Sequence, residues 1–174
     1  MTTRVYETKS AEETQAAAAA LAEELPRGAV VCLHGDLGAG KTCFVQGMAR
    51  AIGVRRPVGS PTFTLVNEYR GDRGLAHVDL YRLRGAADAY GLGVEEYLEH
   101  YDGIVAIEWA ERLGELLPQD CWHVRLEPGT AGDDSRRVTV SGPGCASGAS
   151  CPPVDGFHPP VEKASTGGKQ GEGT

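Results

Sequence analysis

The hydrophobic and polar positions along this chain alternate between two periods, as in an α/β protein. Residues 29–33 (AVVCL) form a short apolar run bounded by turn residues, the pattern of a strand buried on both faces. Residues 104–109 (IVAIEW) repeat it, and both runs predict buried strands. Residues 4–8 alternate weakly and predict a first strand. Ser10 and Glu13 have capping-box spacing, and the Ala-rich stretch behind them predicts a helix to about residue 25. A second helix is predicted from Lys41 to about Ile52, with Gly53 ending it. Residues 60–69 and 75–83 are β-rich, and the polar link between them predicts an antiparallel hairpin. Residues 85–101 read as short helices broken by Gly91 and Gly93, and residues 110–117 as a helical turn or two closed by Pro118. Residues 121–127 and 136–140 predict a closing hairpin.

Beyond residue 140 the pattern stops. Residues 141–174 are dominated by Gly, Pro, Ser and Thr, and such a segment cannot offset its ordering entropy by burial. The expected organisation is an ordered domain over 1–140 and a disordered tail over 141–174.

Between the first buried strand and its helix, Gly35-Asp36-Leu37-Gly38-Ala39-Gly40-Lys41-Thr42 matches G-x-x-x-x-G-K-[ST] in full. Glycines let a loop curl its N–H groups toward phosphates, and the following helix adds the positive end of its dipole. Lys41 then places a charge on the β- and γ-phosphates, and the Thr42 hydroxyl takes one magnesium position. The expected ligands are ATP and Mg2+, with Asp36, Leu37, Gly38, Ala39, Gly40, Lys41 and Thr42 around the nucleotide. The expected fold is α/β: a P-loop NTPase-like mixed sheet flanked by helices, with antiparallel hairpins.

Such a site needs a carboxylate at a neighbouring strand end. Glu108 ends the more apolar strand, which favours a central position beside the loop strand. Asp79 follows a strand that reads as antiparallel, so its placement is open at this level. Thr62, in Ser60-Pro61-Thr62-Phe63-Thr64, lies where nucleotide-sensing loops sit. The candidate catalytic residues are Lys41, Asp79 and Glu108, and the candidate metal ligands are Thr42 and Glu108.

Composition narrows the function classes. The formal net charge is −7, the wrong sign for non-specific binding to a phosphate backbone. No stretch approaches a membrane span and the N-terminal segment is not a signal peptide, so a cytoplasmic location is expected. The five cysteines, Cys32, Cys43, Cys121, Cys145 and Cys151, include no C-x-x-C pair, and no zinc or redox motif is readable. A GTPase should show N-K-x-D, and Asn67-Glu68-Tyr69-Arg70 does not fit. A small-molecule kinase usually carries an arginine-bearing lid, for which only Arg82 and Arg84 offer themselves. A nucleotide-gated scaffold with little turnover stays open.

Four motifs in order, GDLGAGKT, SPTFTLVNEY, HVDLYRL and IEWAER, together resemble the bacterial TsaE family over about residues 5–140. The resemblance implies an ATPase subunit that supports the TsaB and TsaD proteins. Together they install the threonylcarbamoyl group on the tRNA adenosine next to the anticodon, in tRNAs reading codons that begin with A. TsaD would engage the tRNA, so this chain would meet RNA only indirectly. By the same resemblance Asp79 is the candidate for water activation, Glu108 a magnesium-site acid, and Trp109 an aromatic near the nucleotide or the partner surface. Cys43 departs from the pattern, which often has Thr or Ser there, and raises the question of a thiol exposed to nucleotide. The nucleotide base is expected near Ser10 and near Arg136 or Arg137.

Overall fold

The computed structural model describes residues 2–143. β1 (Thr2–Thr8) leads into α1 (Ala11–Glu24), whose first turn is capped as expected: the Glu13 N–H donates to Ser10 Oγ at 3.3 Å. The returning Glu13 carboxylate accepts from the Lys9 N–H at 2.8 Å, one residue before the cap. β2 (Val30–His34) and α2 (Lys41–Ala51) flank the glycine-rich loop. β3 (Val66–Arg70) and β4 (Gly74–Asp79) form the expected antiparallel hairpin. Two short helices follow, α3 (Ala86–Tyr90) and α4 (Val94–His100), then β5 (Ile104–Glu108) and a 3₁₀ helix over Ala110–Leu116. β6 (Trp122–Pro128) and β7 (Arg136–Gly142) close the described chain.

All seven strands join one sheet in the order β1-β7-β6-β2-β5-β4-β3. The central four, β6, β2, β5 and β4, run parallel, and β1, β7 and β3 are antiparallel to their neighbours. This is the mixed sheet that the sequence implied.

Alternation along the strands splits the interior into two cores. Val31, Leu33, Ile104 and Ala106 face α1 and α2, while Val30, Cys32, Val105 and Ile107 face α3, α4 and the 3₁₀ helix. With helices on both sides, β2 and β5 are apolar at successive positions, hence their continuous runs. Phe44, Met48 and Leu21 are fully buried between α1, α2 and the sheet. Each such side chain contributes about 1.5–3 kcal/mol on leaving water.

The structure departs from the sequence pattern in three places. Residues 60–69 are not one strand, because β3 begins only at Val66. Before it the chain turns, with Leu65 at φ 67 and its N–H donating to Pro61 O at 2.7 Å. Hydroxyls in this stretch bond locally and to Asp79, and such bonds compete with a ladder. β4 stops at Asp79, where Oδ1 accepts the Tyr81 N–H at 2.9 Å and folds the chain into a side-chain-closed turn. β7 runs two residues past the expected boundary at 140, to Gly142, because its whole length pairs with β1. The tail expected to be disordered lies, from residue 144 onward, outside the described residues, as do Cys145 and Cys151. Among the described residues no helix is long and apolar enough to cross a membrane.

The α1–α2 contact is made close by small residues. Ala17, Ala18 and Ala22 are buried on one helix, and on the other Gly47 lies against the backbone of Gln15, leaving no room for a methyl group. Gln15 then ties the helices through its side chain, accepting from Arg50 Nη1 at 2.6 Å. Alanine at Gly47 would gain helix propensity, up to about 1 kcal/mol. It would also force α1 off the sheet, because the obstructing atoms are backbone and cannot rotate away. Overpacking of this kind costs about 1–3 kcal/mol, and a backbone obstruction belongs at the upper end. Gly47→Ala should therefore lower the Tm by at least about 3 °C in a thermal melt.

Candidate functional site

The parallel strands β2, β5 and β4 end at one edge of the sheet, and the chemistry gathers there. β2 delivers the glycine-rich loop. Gly40 at φ 102 sits in the left-handed region and turns the chain directly into α2, whose first turn has no side-chain cap. The free N–H groups of that turn remain available to an anion.

Lys41 is 4% exposed. Its ammonium donates to the carbonyls of Gly35 at 2.7 Å and Asp36 at 2.9 Å, and lies 4.3 Å from the centre of the Trp109 ring. Burial pulls its pKa below the usual lysine range, and Glu108, Asp79, Glu111 and Asp36 pull it back up. Trp109 reaches this position by a backbone twist, φ 62, where β5 breaks into the 3₁₀ helix. Tyr81 leans on its ring at 5.1 Å. Trp109 lies beside the loop lysine and also packs against the second core.

Asp79 and Glu108 are register partners across β4 and β5, and both are buried. They project to the sheet face that carries α2, as the alternation from Ile104 and Leu75 requires. The antiparallel hairpin was real but incomplete as a guide, because the other edge of β4 is parallel to β5. The two acids have different partners. Glu108 Oε1 accepts from the Thr42 hydroxyl at 2.8 Å and sits 2.9 Å from His77 Nε2. Asp79 Oδ2 accepts from the Thr62 hydroxyl at 2.5 Å and the Ser60 hydroxyl at 3.1 Å. Thr62 is thus brought to Asp79. Phe63 beside it is 86% exposed under the Arg82 guanidinium.

His77 is fully buried. An ionised carboxylate only accepts, so against it Nε2 carries the proton, which leaves Nδ1 without a partner among the described residues. The signal for His77 was its place two residues before Asp79, on the same strand face. Arg136, expected near the base, braces the loop. Its Nε donates to Ala39 O at 2.9 Å and its Nη2 reaches Gly38 O at 3.4 Å. Arg137 points elsewhere, to Glu7 at 2.6 Å, and Ser10 is occupied by its capping bond.

Asp36, Leu37 and Gly38 form the exposed crest of the loop, while Ala39 is buried beneath it. The Cys43 thiol turns away from this edge toward α1, donating to Ala11 O at 3.6 Å, and burial pushes its pKa up. Cys43 thus contacts α1 through Ala11 and Gln15. The edge as a whole offers uncapped helix N–H groups, an ammonium, a hydroxyl and two carboxylates. This set is suited to a polyphosphate with a hard divalent cation.

Comparison with known proteins agrees with this architecture. A family profile described as "Threonylcarbamoyl adenosine biosynthesis protein TsaE" matches residues 8–138. A tRNA threonylcarbamoyladenosine biosynthesis protein TsaE of Bacillus subtilis is 41% identical over 140 residues, covering 80% of this chain and 85% of the relative. The protein of the same name from Treponema pallidum is 38% identical over 133 residues, covering 76% of this chain and 96% of the relative. A crystal structure of the Bacillus protein YdiB superposes with a TM-score of 0.67 at 38% identity, covering 80% of this chain and 85% of that one. With the family profile spanning residues 8–138 and relatives of about 40% identity covered over most of their length, the chain belongs to the TsaE family.

Proposed function

We propose that this chain is an ATPase that binds ATP with Mg2+ and hydrolyses it in support of TsaB and TsaD during threonylcarbamoyl modification of tRNA. The observation that carries the reading is the Thr42 hydroxyl on the Glu108 carboxylate at 2.8 Å, beside a Lys41 ammonium held in the loop. These are hard oxygen donors at the mouth of an uncapped helix, the ligand class that Mg2+ selects. Thr42 and Glu108 would hold the Mg2+, which would supply positive charge to offset the negative charge developing on the phosphates.

The chain's own residues divide the remaining work. Lys41 exchanges the carbonyls of Gly35 and Asp36 for phosphate oxygens, and its ammonium stabilises the transferring phosphate electrostatically. Arg136 holds the loop from behind through Ala39 O and leaves the loop N–H groups free to bind. Glu108 and Thr42 hold the metal side, with His77 fixing the carboxylate. Asp79 orients the attacking water. Its present partners, Thr62 and Ser60, couple the 60–64 loop to the state of that acid. The acidic net charge of −7 favours a role at one remove from the RNA, with TsaD in contact with it.

ATP turnover measured with and without TsaB–TsaD tests the reading as a whole, and Lys41→Ala is its internal control. The variant should lose about a hundredfold or more in kcat while keeping its fold by circular dichroism. Turnover within twofold of the unmodified chain would remove Lys41 from the phosphate.

The different partners of the two acids predict different kinetic signatures. Glu108→Gln should weaken Mg2+-dependent nucleotide binding and turnover together. Asp79→Asn should lower turnover with binding largely kept. Titration calorimetry alongside steady-state rates reads both, and the opposite pattern would exchange the two roles.

Linkage predicts thermal shifts as well. At a ligand concentration about 100 times its Kd, the native state gains about 2.7 kcal/mol. ATP with Mg2+ should raise the Tm by several degrees, GTP less, and EDTA should shrink the ATP shift. Equal shifts with ATP and GTP would count against the nucleotide assignment.

A further inference from the structure

On the opposite face of β2 from the phosphate edge lies a cluster that the function above does not use. Cys32 on β2, Cys121 just before β6 and His123 on β6 each present one ligand atom, and the three atoms lie within 4.8 Å of one another. Cys32 and His123 are direct register partners across the parallel β2–β6 pair. The sulfur of Cys121 is 3.4 Å from His123 Nε2. Tetrahedral zinc with Zn–S near 2.3 Å and Zn–N near 2.0–2.1 Å needs its sulfur and nitrogen ligands about 3.6 Å apart. The observed spacing is within a few tenths of an ångström of that.

The imidazole is held in the orientation a metal requires. His123 Nδ1 is 2.9 Å from His34 Nε2, and the two rings stack at 5.2 Å between centroids. His34 Nδ1 in turn faces the Glu111 carboxylate at 3.8 Å. With His34 Nε2 accepting from the His123 Nδ1–H, His123 Nε2 is left as a bare lone pair toward the two sulfurs. A hydrogen-bond partner behind a ligating histidine is how metal sites set tautomer and ring angle.

We propose that Cys32, Cys121 and His123 form a zinc site, a two-thiolate, one-imidazole set completed by water and oriented from behind by His34. Ligation forms two Zn–S bonds and one Zn–N bond, and the two thiol protons pass to solvent. The ion is not redox-active, and no oxidant is needed. The site clips β2 to the start of β6. Because His34 is the last residue before Gly35, the clip fixes the strand end from which the phosphate loop springs.

The test uses the full chain with Cys43, Cys145 and Cys151 replaced by Ser, so that only the two cluster thiols remain. The reduced, metal-free protein is titrated with Co2+ as a spectroscopic probe and then with Zn2+. Expected are one equivalent of Co2+ with thiolate-to-cobalt charge-transfer absorption, displacement by Zn2+, and a Tm raised by Zn2+. Cys121→Ser should abolish the charge-transfer band. Should that variant not fold, His123→Gln, at a half-buried position, reads the same ligand set. His34→Ala should weaken Zn2+ binding by about 10–100-fold while keeping the band, since it removes only the support behind the ligand. A folded, reduced protein with no charge-transfer band would overturn the proposal. So would a band that survives in both Cys121→Ser and His123→Gln, or a Cys32–Cys121 disulfide that forms in air from a protein whose reduced form takes up no metal.

Discussion

A lysine ammonium that is almost fully enclosed must find within the protein what it gives up in water. Much of the phosphate edge can be understood as the answer to that demand at Lys41. Two loop carbonyls accept its hydrogens, the Trp109 ring lies beneath it, and acids on β4 and β5 surround it with opposite charge. The same arrangement makes the site responsive. The carbonyl partners are neutral and can be exchanged, whereas the acids stay fixed by the sheet register. A polyphosphate arriving at the loop offers the ammonium stronger, charged acceptors without asking the carboxylates to move. On the proposed reading the ammonium is held in a compensated state close to where it would act, and little reorganisation separates the two states.

What the sequence disclosed follows from which forces are local. β2 and β5 were legible because strands buried on both faces cannot hide their apolar runs. The glycine-rich loop was legible because its backbone shape dictates residue types at fixed spacing. Glu108 could be placed from the strand it ends. Asp79 could not be placed with the same security, because its hairpin with β3 is local whereas its pairing with β5 is not. His77 and Arg136 escaped for a related reason. Their roles depend on partners in other strands and loops, Glu108 for the one and Ala39 for the other. The cysteine–histidine cluster is the extreme case. No short motif joins Cys32 to Cys121, and only the parallel β2–β6 register brings them near each other.

Two different rules govern how closely the layers approach. On the α1–α2 side, closeness comes from missing side chains: a run of alanines and Gly47 let two helix backbones nearly touch. On the other side, short helices and the 3₁₀ segment cover the sheet with larger residues such as Leu80 and Leu113, and polar groups enter at His34 and Glu111. The tight side packs α2, which carries Lys41 and Thr42, against α1 and the sheet. The looser side also carries Trp109, which lets one aromatic ring reach around the end of β5 to the loop.

The pairing of β1 with β7 carries a consequence for how the chain is made. Thr8 lies opposite Arg136, so the first strand has no neighbour until nearly all of the described chain has emerged from the ribosome. Closing so long a loop costs entropy that local contacts cannot offset early. Arg136, which braces the loop through Ala39 O, arrives with the same strand. A nascent chain halted before that point already carries the whole glycine-rich loop and both acids, yet lacks the guanidinium that holds the loop in shape. The bracing of the glycine-rich loop is thus tied to the last described strand.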